Sequence, residues 1–422
     1  MSMKHLGTPS PRRHATWLLS LAALLLCGVT GQAQLTALHA SGTNIVNAAG
    51  TTVQLKGVNL GGWFIMEPYM TPIDSSGTYN TDMHGMMVEL DSRLGVANEQ
   101  ALLKTYQQSW ITTADLDNIH AAGLNAVRIP IWWGMFFPMA SQSTSNMRSD
   151  SFTVLDSIIN ACASRNIYVI LDMHGALGSQ SGNADTGHAN DGGSNGTYFS
   201  SGADQSLTLW LWEQIASHYS AANFANSAAI AGFDLLNEPT GGTTTQVVGA
   251  YNSLYAGIRG VDSTRMLIME TISSTSWAWN NLPSPATNGW TNVVYSTHQY
   301  TGVGSTAAQV EAGNTTTING FNAINTAGYN VPGYVGEYTA YASGYSEWQS
   351  TQTEYANAGL SRTAWAYKVN TASGSDFWGW YCPGTTRPTT PNIATDPYAT
   401  IQSDWSGWTT SPDFVVNTNI HM

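Results

Sequence analysis

Two glutamates in this 422-residue chain follow apolar runs, where burying a charge is costly unless it is paired or hydrogen-bonded. The run at residues 230–236 leads into Asn237 and Glu238, and a second apolar run leads into Glu337. One isolated glutamate in such a place is most often a structural carboxylate. A pair in matching positions, with Asn237 and Tyr300 as donors, instead favours chemistry that needs two carboxyl groups, such as glycosidic bond cleavage.

The elements that must position these side chains form a regular alternation. Eight short runs rich in β-branched and aromatic residues are predicted to be strands, and helical patterns lie between several of them. The predicted strands are residues 53–58, 126–131, 168–172, 230–236, 266–271, 293–298, 333–337 and 363–367, and the predicted helices include residues 99–106, 113–122, 152–165, 205–219 and 246–259. Strands and helices that alternate over about 350 residues predict an α/β fold, a (β/α)8 TIM barrel.

The sequence favours one domain, residues 34–422, because it contains neither an internal repeat nor a low-complexity linker. Turn residues within residues 35–52 predict an N-terminal β-hairpin that plugs the bottom of the barrel. Residues 178–202 and 373–422 are rich in small and polar residues and are predicted to be long loops. Cys162 and Cys382 are expected at opposite ends of the fold, so a disulfide between them is not predicted.

Polar and aromatic residues stand at or near the end of nearly every predicted strand. These are Asn59, Arg128, Asp172, His174, Asn237, Glu238, Glu270, His298, Tyr300, Glu337 and Trp365. In a barrel of this type the carboxyl ends of the strands form one face, which predicts a single site there with Glu238 and Glu337 facing each other across it. His174 and His298 lack a third ligand at a suitable spacing, so neither a metal nor a cofactor is predicted.

These residues carry a family resemblance. The segments "GLNAVRIPI", "VILDMHGALGSQSG", "LLNEP", "STHQY", "VGEY" and "TAWAY" are similar to glycoside hydrolase family 5, in the clan of retaining barrel glycosidases. The similarity extends from about residue 53 to residue 367. It covers an Arg, a His, an Asn-Glu pair, a His-x-Tyr, a second Glu and a Trp in the family's order, which makes it far more specific than "NEP" alone.

The resemblance implies a role for each matching residue. Glu238 would be the acid/base and Glu337 the nucleophile, with Arg128 holding Glu337 ionised and Tyr300 orienting it. Asn237 would bind the 2-hydroxyl of the sugar. The remaining matches are His174 and His298, which would bind or orient the sugar, and Trp365, which would form the platform beneath it.

Two further segments, "GVNLGGWFIMEPYMTP" and "HGALGSQSG", resemble the exo-1,3-β-glucanase branch of that family. There, the residue matching Glu67 binds hydroxyls of the terminal glucose, which implies exo attack on a β-glucan polysaccharide or oligosaccharide. The chain departs from the branch at Asn183, Ala184 and Asp185 and in a longer insertion that follows. Endo attack on β-1,6 or β-1,4 linkages, transglycosylation and a non-catalytic glycan-binding barrel therefore remain open. Candidate stacking residues, of which at least half are expected to be packing residues, are Trp277, Trp279, Trp378 and Trp380.

The N-terminus and the composition suggest export. Residues 1–33 have basic residues, an apolar stretch and small residues before Gln34, as a signal peptide does. Without them, three of the 14 basic residues and none of the 27 acidic residues are lost, so the net charge falls from −13 to −16. Such a charge disfavours nucleic acid and anionic lipid. The expected product is a secreted, extracellular or periplasmic monomer without a membrane anchor.

Overall fold

The computed structural model describes residues 1–3, 7, 35–74, 82–189, 195–271, 278–302, 304–340, 344–370, 378–385 and 387–422. The chain divides into two compact units, Met1–Ala33 and Gln34–Met422. Only four residues of the first unit are among those described, so the predicted signal peptide falls almost wholly outside them. In the described part of the chain, no helix is both long and apolar enough to cross a bilayer.

Eight parallel strands of the second unit close into a barrel. Their order around the ring follows the chain, with the last strand hydrogen-bonded to the first. The barrel strands are β3 (Lys56–Asn59), β4 (Ala126–Trp132), β5 (Tyr168–Gly175), β6 (Ile230–Asp234), β7 (Met266–Glu270), β8 (Val293–Tyr300), β9 (Gly333–Thr339) and β10 (Ser361–Ala364). The predicted (β/α)8 TIM barrel is confirmed, and each of the eight predicted strands overlaps an observed one.

Helices join the strands and cover the barrel. They are α1 (Met83–Leu94), α2 (Val96–Trp110), α3 (Thr113–Ala121), α4 (Thr153–Ala163), α5 (Gly202–His218), α6 (Thr244–Val261), α7 (Pro285–Asn288), α8 (Ala307–Thr326), α9 (Tyr345–Asn357), α10 (Tyr398–Ser406) and α11 (Thr410–Asp413). Several begin at a threonine that forms a capping box, as Thr112 does with Asp115 before α3. Such a box satisfies two backbone donors that the first helical turn leaves unpaired.

The N-terminal hairpin closes the bottom of the barrel, as predicted. Its strands are β1 (His39–Ser41) and β2 (Asn44–Val46), which pair antiparallel. Leu38 and Ile45 are buried in a cluster with barrel residues such as Ile170, Met266 and Val294. This apolar plug keeps water out of the amino ends of the strands and leaves the opposite face for polar side chains.

The prediction that residues 373–422 form a loop is wrong over most of the tail. Strands β11 (Tyr381–Pro383) and β12 (Phe414–Val416) pair antiparallel, and α10 and α11 lie between them. The indoles of Trp405 and Trp408 are fully buried. Nζ of the buried Lys368 donates to the carbonyl oxygens of Trp110, at 3.1 Å, and Trp408, at 2.6 Å, so the tail is fixed to the end of α2. The free energy gained by burying these indoles is enough to order the segment despite its polar composition.

The other predicted loop, residues 178–202, also contains regular structure. It includes a 3₁₀ turn at Ala184–Thr186, and α5 begins at its last residue, Gly202. Residues 190–194 lie outside the described part of the chain. Cys162 is buried on α4 and Cys382 lies on β11, and the expectation of no disulfide between them stays a prediction.

Candidate active site

A fully buried arginine on β4 lies at the centre of the polar cluster. Arg128 contacts three carboxylates: Nε donates to Asp234 Oδ2 at 2.9 Å, Nη1 to Glu337 Oε1 at 2.6 Å, and Nη2 lies 3.0 Å from Asp172 Oδ1. Burial raises the pKa of both aspartic acids to about 7, and the arginine works against that rise. The guanidinium therefore compensates several buried acidic groups at once.

The same guanidinium also fixes two amides of the site. Nη2 donates to Asn237 Oδ1 at 2.9 Å, and Nη1 donates to Asn59 Oδ1 at 3.2 Å. Because its oxygen is turned to Arg128, Asn237 presents its Nδ2 group away from the cation, 3.5 Å from His174 Nε2. Four of the sequence-predicted positions, Asn59, Arg128, His174 and Asn237, are thus joined in one polar unit.

Glu337 lies on β9 and is held on both carboxylate oxygens. Oε1 accepts from Arg128, and Oε2 accepts from the Tyr300 hydroxyl at 2.5 Å. His298 Nδ1 lies 3.5 Å from the same Oε2. The carboxylate is 5% exposed, so it is desolvated and fixed but still reachable from the barrel mouth. Donors on both oxygens fix the orientation of this carboxylate.

Glu238 lies four residues beyond the end of β6, not on the strand itself. The segment stays anchored because Leu235 N donates to Ile268 O and Asn237 N donates to Met173 O. Glu238 itself has φ of +43°, a left-handed conformation that is rare for a residue with a side chain. Such strain persists only where surrounding contacts impose it, and strained residues of this kind are common at functional sites.

The environment of Glu238 differs from that of Glu337. Its side chain is 22% exposed, its Oε1 lies 2.8 Å from His298 Nδ1, and its backbone NH donates to Glu270 Oε2 at 3.0 Å. Burial raises the pKa of Glu238 to about 7, with Asp172 adding to the rise. A carboxyl group that keeps its proton near neutrality can act as a general acid.

The two histidines are buried, and burial lowers the pKa of both, that of His298 to about 3. His298 is therefore neutral and lies between Glu238 and Glu337. His174 contacts Asp172 through Nδ1 at 2.7 Å and lies parallel to the Trp365 indole, with ring centroids 5.6 Å apart. Both imidazoles orient neighbouring groups.

Glu67 lies on the same side of the site as His174 and Trp365. Its Oε1 is 3.9 Å from His174 Nε2, and the residue is 1% exposed. Burial raises its pKa well above the usual range, and Asp185 adds to this rise. All nine predicted site residues therefore meet at the carboxyl ends of the strands: Glu67, Arg128, His174, Asn237, Glu238, His298, Tyr300, Glu337 and Trp365.

Glu238, Glu270 and His298 offer ligand atoms within 4.8 Å of one another. The three ligand atoms are close enough together to coordinate a single cation. Each residue already contacts another member of the group, however, through the Glu238 NH and the two imidazole nitrogens of His298. Those contacts give the group a positioning role without an ion, and the sequence-based expectation of no metal stays a prediction.

Comparison with known proteins identifies the family. The family model "Cellulase (glycosyl hydrolase family 5)" matches residues 82–371, more than half of the chain. The chain belongs to glycosyl hydrolase family 5. The resemblance stated from the sequence motifs is confirmed.

The chain is also similar to curated enzymes. A β-xylosidase from Phanerodontia chrysosporium is 30% identical over 274 residues, 64% of this chain and 53% of that protein. A glucan 1,3-β-glucosidase from Candida oleophila is 30% identical over 257 residues, 58% of each chain. The chain thus spans about half the length of the curated relatives it matches. The rutinosidase from Aspergillus niger shares the fold, with a TM-score of 0.61 at 16% identity over 84% of this chain and 98% of that one.

Besides Asp234, the structure adds two site residues that sequence reasoning missed. Asp185, on the 3₁₀ turn, has a buried Oδ1 without a hydrogen-bond partner, and burial, with Glu238 nearby, raises its pKa to about 7. Gln180 donates from Nε2 to the carbonyl oxygens of His174 and Asn237, both at 2.8 Å. Gln180 belongs to a quoted motif, whereas Asp185 lies where the sequence departs from the related branch and carries no signal of its own.

Two of the three described candidate stacking tryptophans are packing residues. Trp380 contacts the ring of Tyr367, and Trp279 is 2% exposed against Phe321. Trp378 lies in a small cluster with Trp365 beside the site. Trp277 lies outside the described residues.

Proposed function

We propose that this protein is a secreted, retaining exo-glucosidase that releases glucose from β-1,3-glucan by double displacement. The single observation that supports this best is the unequal pair of carboxyl groups around His298. Glu337 is held by Arg128 and Tyr300, whereas Glu238 is partly exposed and has a raised pKa. One group is suited to attack and the other to proton transfer.

The spacing of the pair supports retention. His298 Nδ1 lies 2.8 Å from Glu238 Oε1 and 3.5 Å from Glu337 Oε2, so those two oxygens are separated by no more than the sum of these distances. Inverting enzymes need about 6.5–9.5 Å to admit a water molecule between the carboxyl groups, whereas retaining enzymes need about 5–5.5 Å. The upper bound on the gap between these two oxygens lies below the inverting range, which supports retention.

In the first step Glu337 attacks the anomeric carbon while Glu238 donates its proton to the leaving oxygen. The bond from carbon to that oxygen breaks, and a glycosyl ester forms on Glu337. Once Glu337 is esterified its charge is gone, so Glu238, now ionised, becomes a better base and takes a proton from the incoming water. Water then replaces Glu337 at the anomeric carbon and regenerates both groups.

The surrounding residues bind the sugar in this scheme. Asn237 offers its Nδ2 group to the 2-hydroxyl, Trp365 forms the platform beneath the ring, and the buried Glu67 binds hydroxyls of the terminal sugar. His174 orients Glu67 and Trp365, which it contacts. The name of the relative from Candida oleophila supports a β-1,3-glucan as substrate, and the signal-like residues 1–33 support secretion.

A product profile tests the substrate and the mode of attack. We expect the protein to release glucose as the only early product from laminarin, and to act far more slowly on pustulan, lichenan and carboxymethyl cellulose. Chromatography of samples taken during the first few per cent of hydrolysis measures this. A ladder of oligosaccharides from laminarin would contradict exo attack, and faster hydrolysis of pustulan or carboxymethyl cellulose would contradict the linkage.

A further inference from the structure

The segment that follows β10, residues 365–370, carries the Trp365 indole and lies between the barrel and the C-terminal tail. On the barrel side, the NH of Trp365 donates to Tyr338 O at 3.0 Å, and the NH of Tyr367 donates to Asn59 O at 2.9 Å. These two bonds continue the barrel pairing for alternate residues beyond the end of β10. The barrel therefore holds one edge of the segment.

The tail holds the other edge. The NH of Ala366 donates to Trp378 O at 2.8 Å, and the carbonyl of Ala366 accepts from the NH of Trp380 at 3.0 Å. The side chains of Trp365 and Trp378 also belong to one buried apolar cluster. The position of the Trp365 indole beside the site therefore depends on this stretch of the tail.

Lys368 fixes the tail from within the same segment. Its side chain is fully buried, and Nζ donates to Trp110 O at 3.1 Å and to Trp408 O at 2.6 Å. Nζ also lies 4.2 Å from the ring centroid of Phe414 and 4.5 Å from that of Trp110, as cation–π contacts require. Since Phe414 begins β12, which pairs with β11, the ammonium group joins α2 to both the helical and the strand part of the tail.

A buried cation in this place has a cost and a clear use. Burial lowers the pKa of Lys368 to about 7, and attraction to Asp115 and Asp413 opposes the fall. Trp110 is the last residue of α2, so its carbonyl is one of those that a helix end leaves without a helical partner. Removing the ammonium group would deprive this carbonyl and that of Trp408 of a donor and would weaken the junction between α2 and the tail.

We infer that Lys368 is a positioning residue for sugar binding: it holds the tail against α2, and the tail fixes the Trp365 indole beneath the reacting sugar. The role of the indole rests on the proposed function, whereas the contacts of Lys368 with the tail do not. Arg128, His298 and Tyr300 orient the two carboxyl groups from β4 and β8. A displaced indole should therefore weaken sugar binding more than it slows the chemical step.

Lys368→Met tests the inference through the kinetic constants. Methionine keeps apolar contact with the rings of Trp110 and Phe414 but donates to neither carbonyl. On an aryl β-glucoside we expect KM to rise at least fivefold while kcat changes less than threefold. Phe414→Leu, which removes the ring beside Nζ, is a second variant in case Lys368→Met fails to fold, as judged by circular dichroism, and it should change KM in the same direction.

Arg265→Met is the matched control. Arg265 is also a buried cation that donates to backbone carbonyls, those of Tyr219 and Ser227, both at 2.9 Å. It directly precedes β7, however, and so lies at the amino end of the barrel strands, opposite the site. Its replacement should lower the melting temperature without raising KM, so a general loss of stability is separated from a displaced indole.

A double-mutant cycle with Trp365→Ala shows whether Lys368 acts through the indole. In that background Lys368→Met should change kcat/KM by less than twofold. Additive losses in the double variant, an unchanged KM in folded Lys368→Met, or an equal rise of KM in Arg265→Met would overturn the inference. The same assays include an aryl β-xyloside, because one relative is a β-xylosidase. Hydrolysis of the xyloside alone would overturn the proposed substrate, and the cycle would then be measured on that sugar.

Discussion

Glu337→Ala is expected to lower turnover of an aryl β-glucoside by roughly 10⁴-fold or more, and sodium azide is expected to restore part of the rate. The alanine removes the nucleophile but leaves Glu238, His298 and the sugar contacts in place. Azide can then occupy the vacated space and attack the anomeric carbon directly. The product should be α-glucosyl azide, which NMR or mass spectrometry with an authentic standard identifies.

Two controls separate the roles of the carboxyl groups. Glu238→Ala should also respond to azide on an aryl glucoside, but through the ester on Glu337, so that it yields β-glucosyl azide. Glu311→Ala, at an exposed glutamate of α8, should behave as the unaltered protein does. An α-azide from Glu238→Ala together with a β-azide from Glu337→Ala would reverse the assignment.

Arg128→Met is expected to lower the free energy of unfolding by about 3–5 kcal/mol as well as to abolish activity. The substitution keeps much of the side-chain volume but leaves Asp172, Asp234 and Glu337 without their shared cation. In a chain of this size such a loss corresponds to a fall in melting temperature of roughly 4–6 °C. Thermal unfolding followed by circular dichroism measures it.

Arg128→Lys tests the geometry separately from the charge. Lysine restores a cation but not the planar fork that contacts several groups at once, so we expect most of the stability to return with little of the activity. Arg165→Met is the matched control, because Arg165 forms an exposed pair with Asp117 at 2.7 Å, and such pairs contribute at most about 1 kcal/mol. A fully active Arg128→Met variant, or one as stable as Arg165→Met, would contradict the assigned role.

The barrel was predictable because each strand combines a short apolar run with a polar residue near its carboxyl end. Periodicity locates such runs but not where pairing stops. Residues 363–367 were predicted to be one strand, yet β10 ends at Ala364. The next backbone NH groups, of Trp365 and Ala366, donate to Tyr338 O and Trp378 O. Since Trp378 belongs to the tail, that partner could not be identified from local sequence.

The order of the tail and the role of Asp185 were missed for a related reason. Residues 378–422 are mostly small and polar, and their order depends on Trp405 and Trp408 packing against elements almost 300 residues earlier in the chain. Asp185 becomes a site residue only because a 3₁₀ turn brings it near Glu238. The amino-acid composition predicts neither the packing of these two indoles nor the position of Asp185 beside Glu238.

The anomer first released from a β-glucoside tests the central claim most directly, namely that Glu238 and Glu337 act together by double displacement. Proton NMR during the first minutes of hydrolysis, before mutarotation, resolves the two anomers of glucose. We predict β-glucose as the initial product, because two successive inversions at the anomeric carbon restore its configuration. Initial release of α-glucose would show a single displacement by water and would contradict the assignment of Glu337 as the nucleophile.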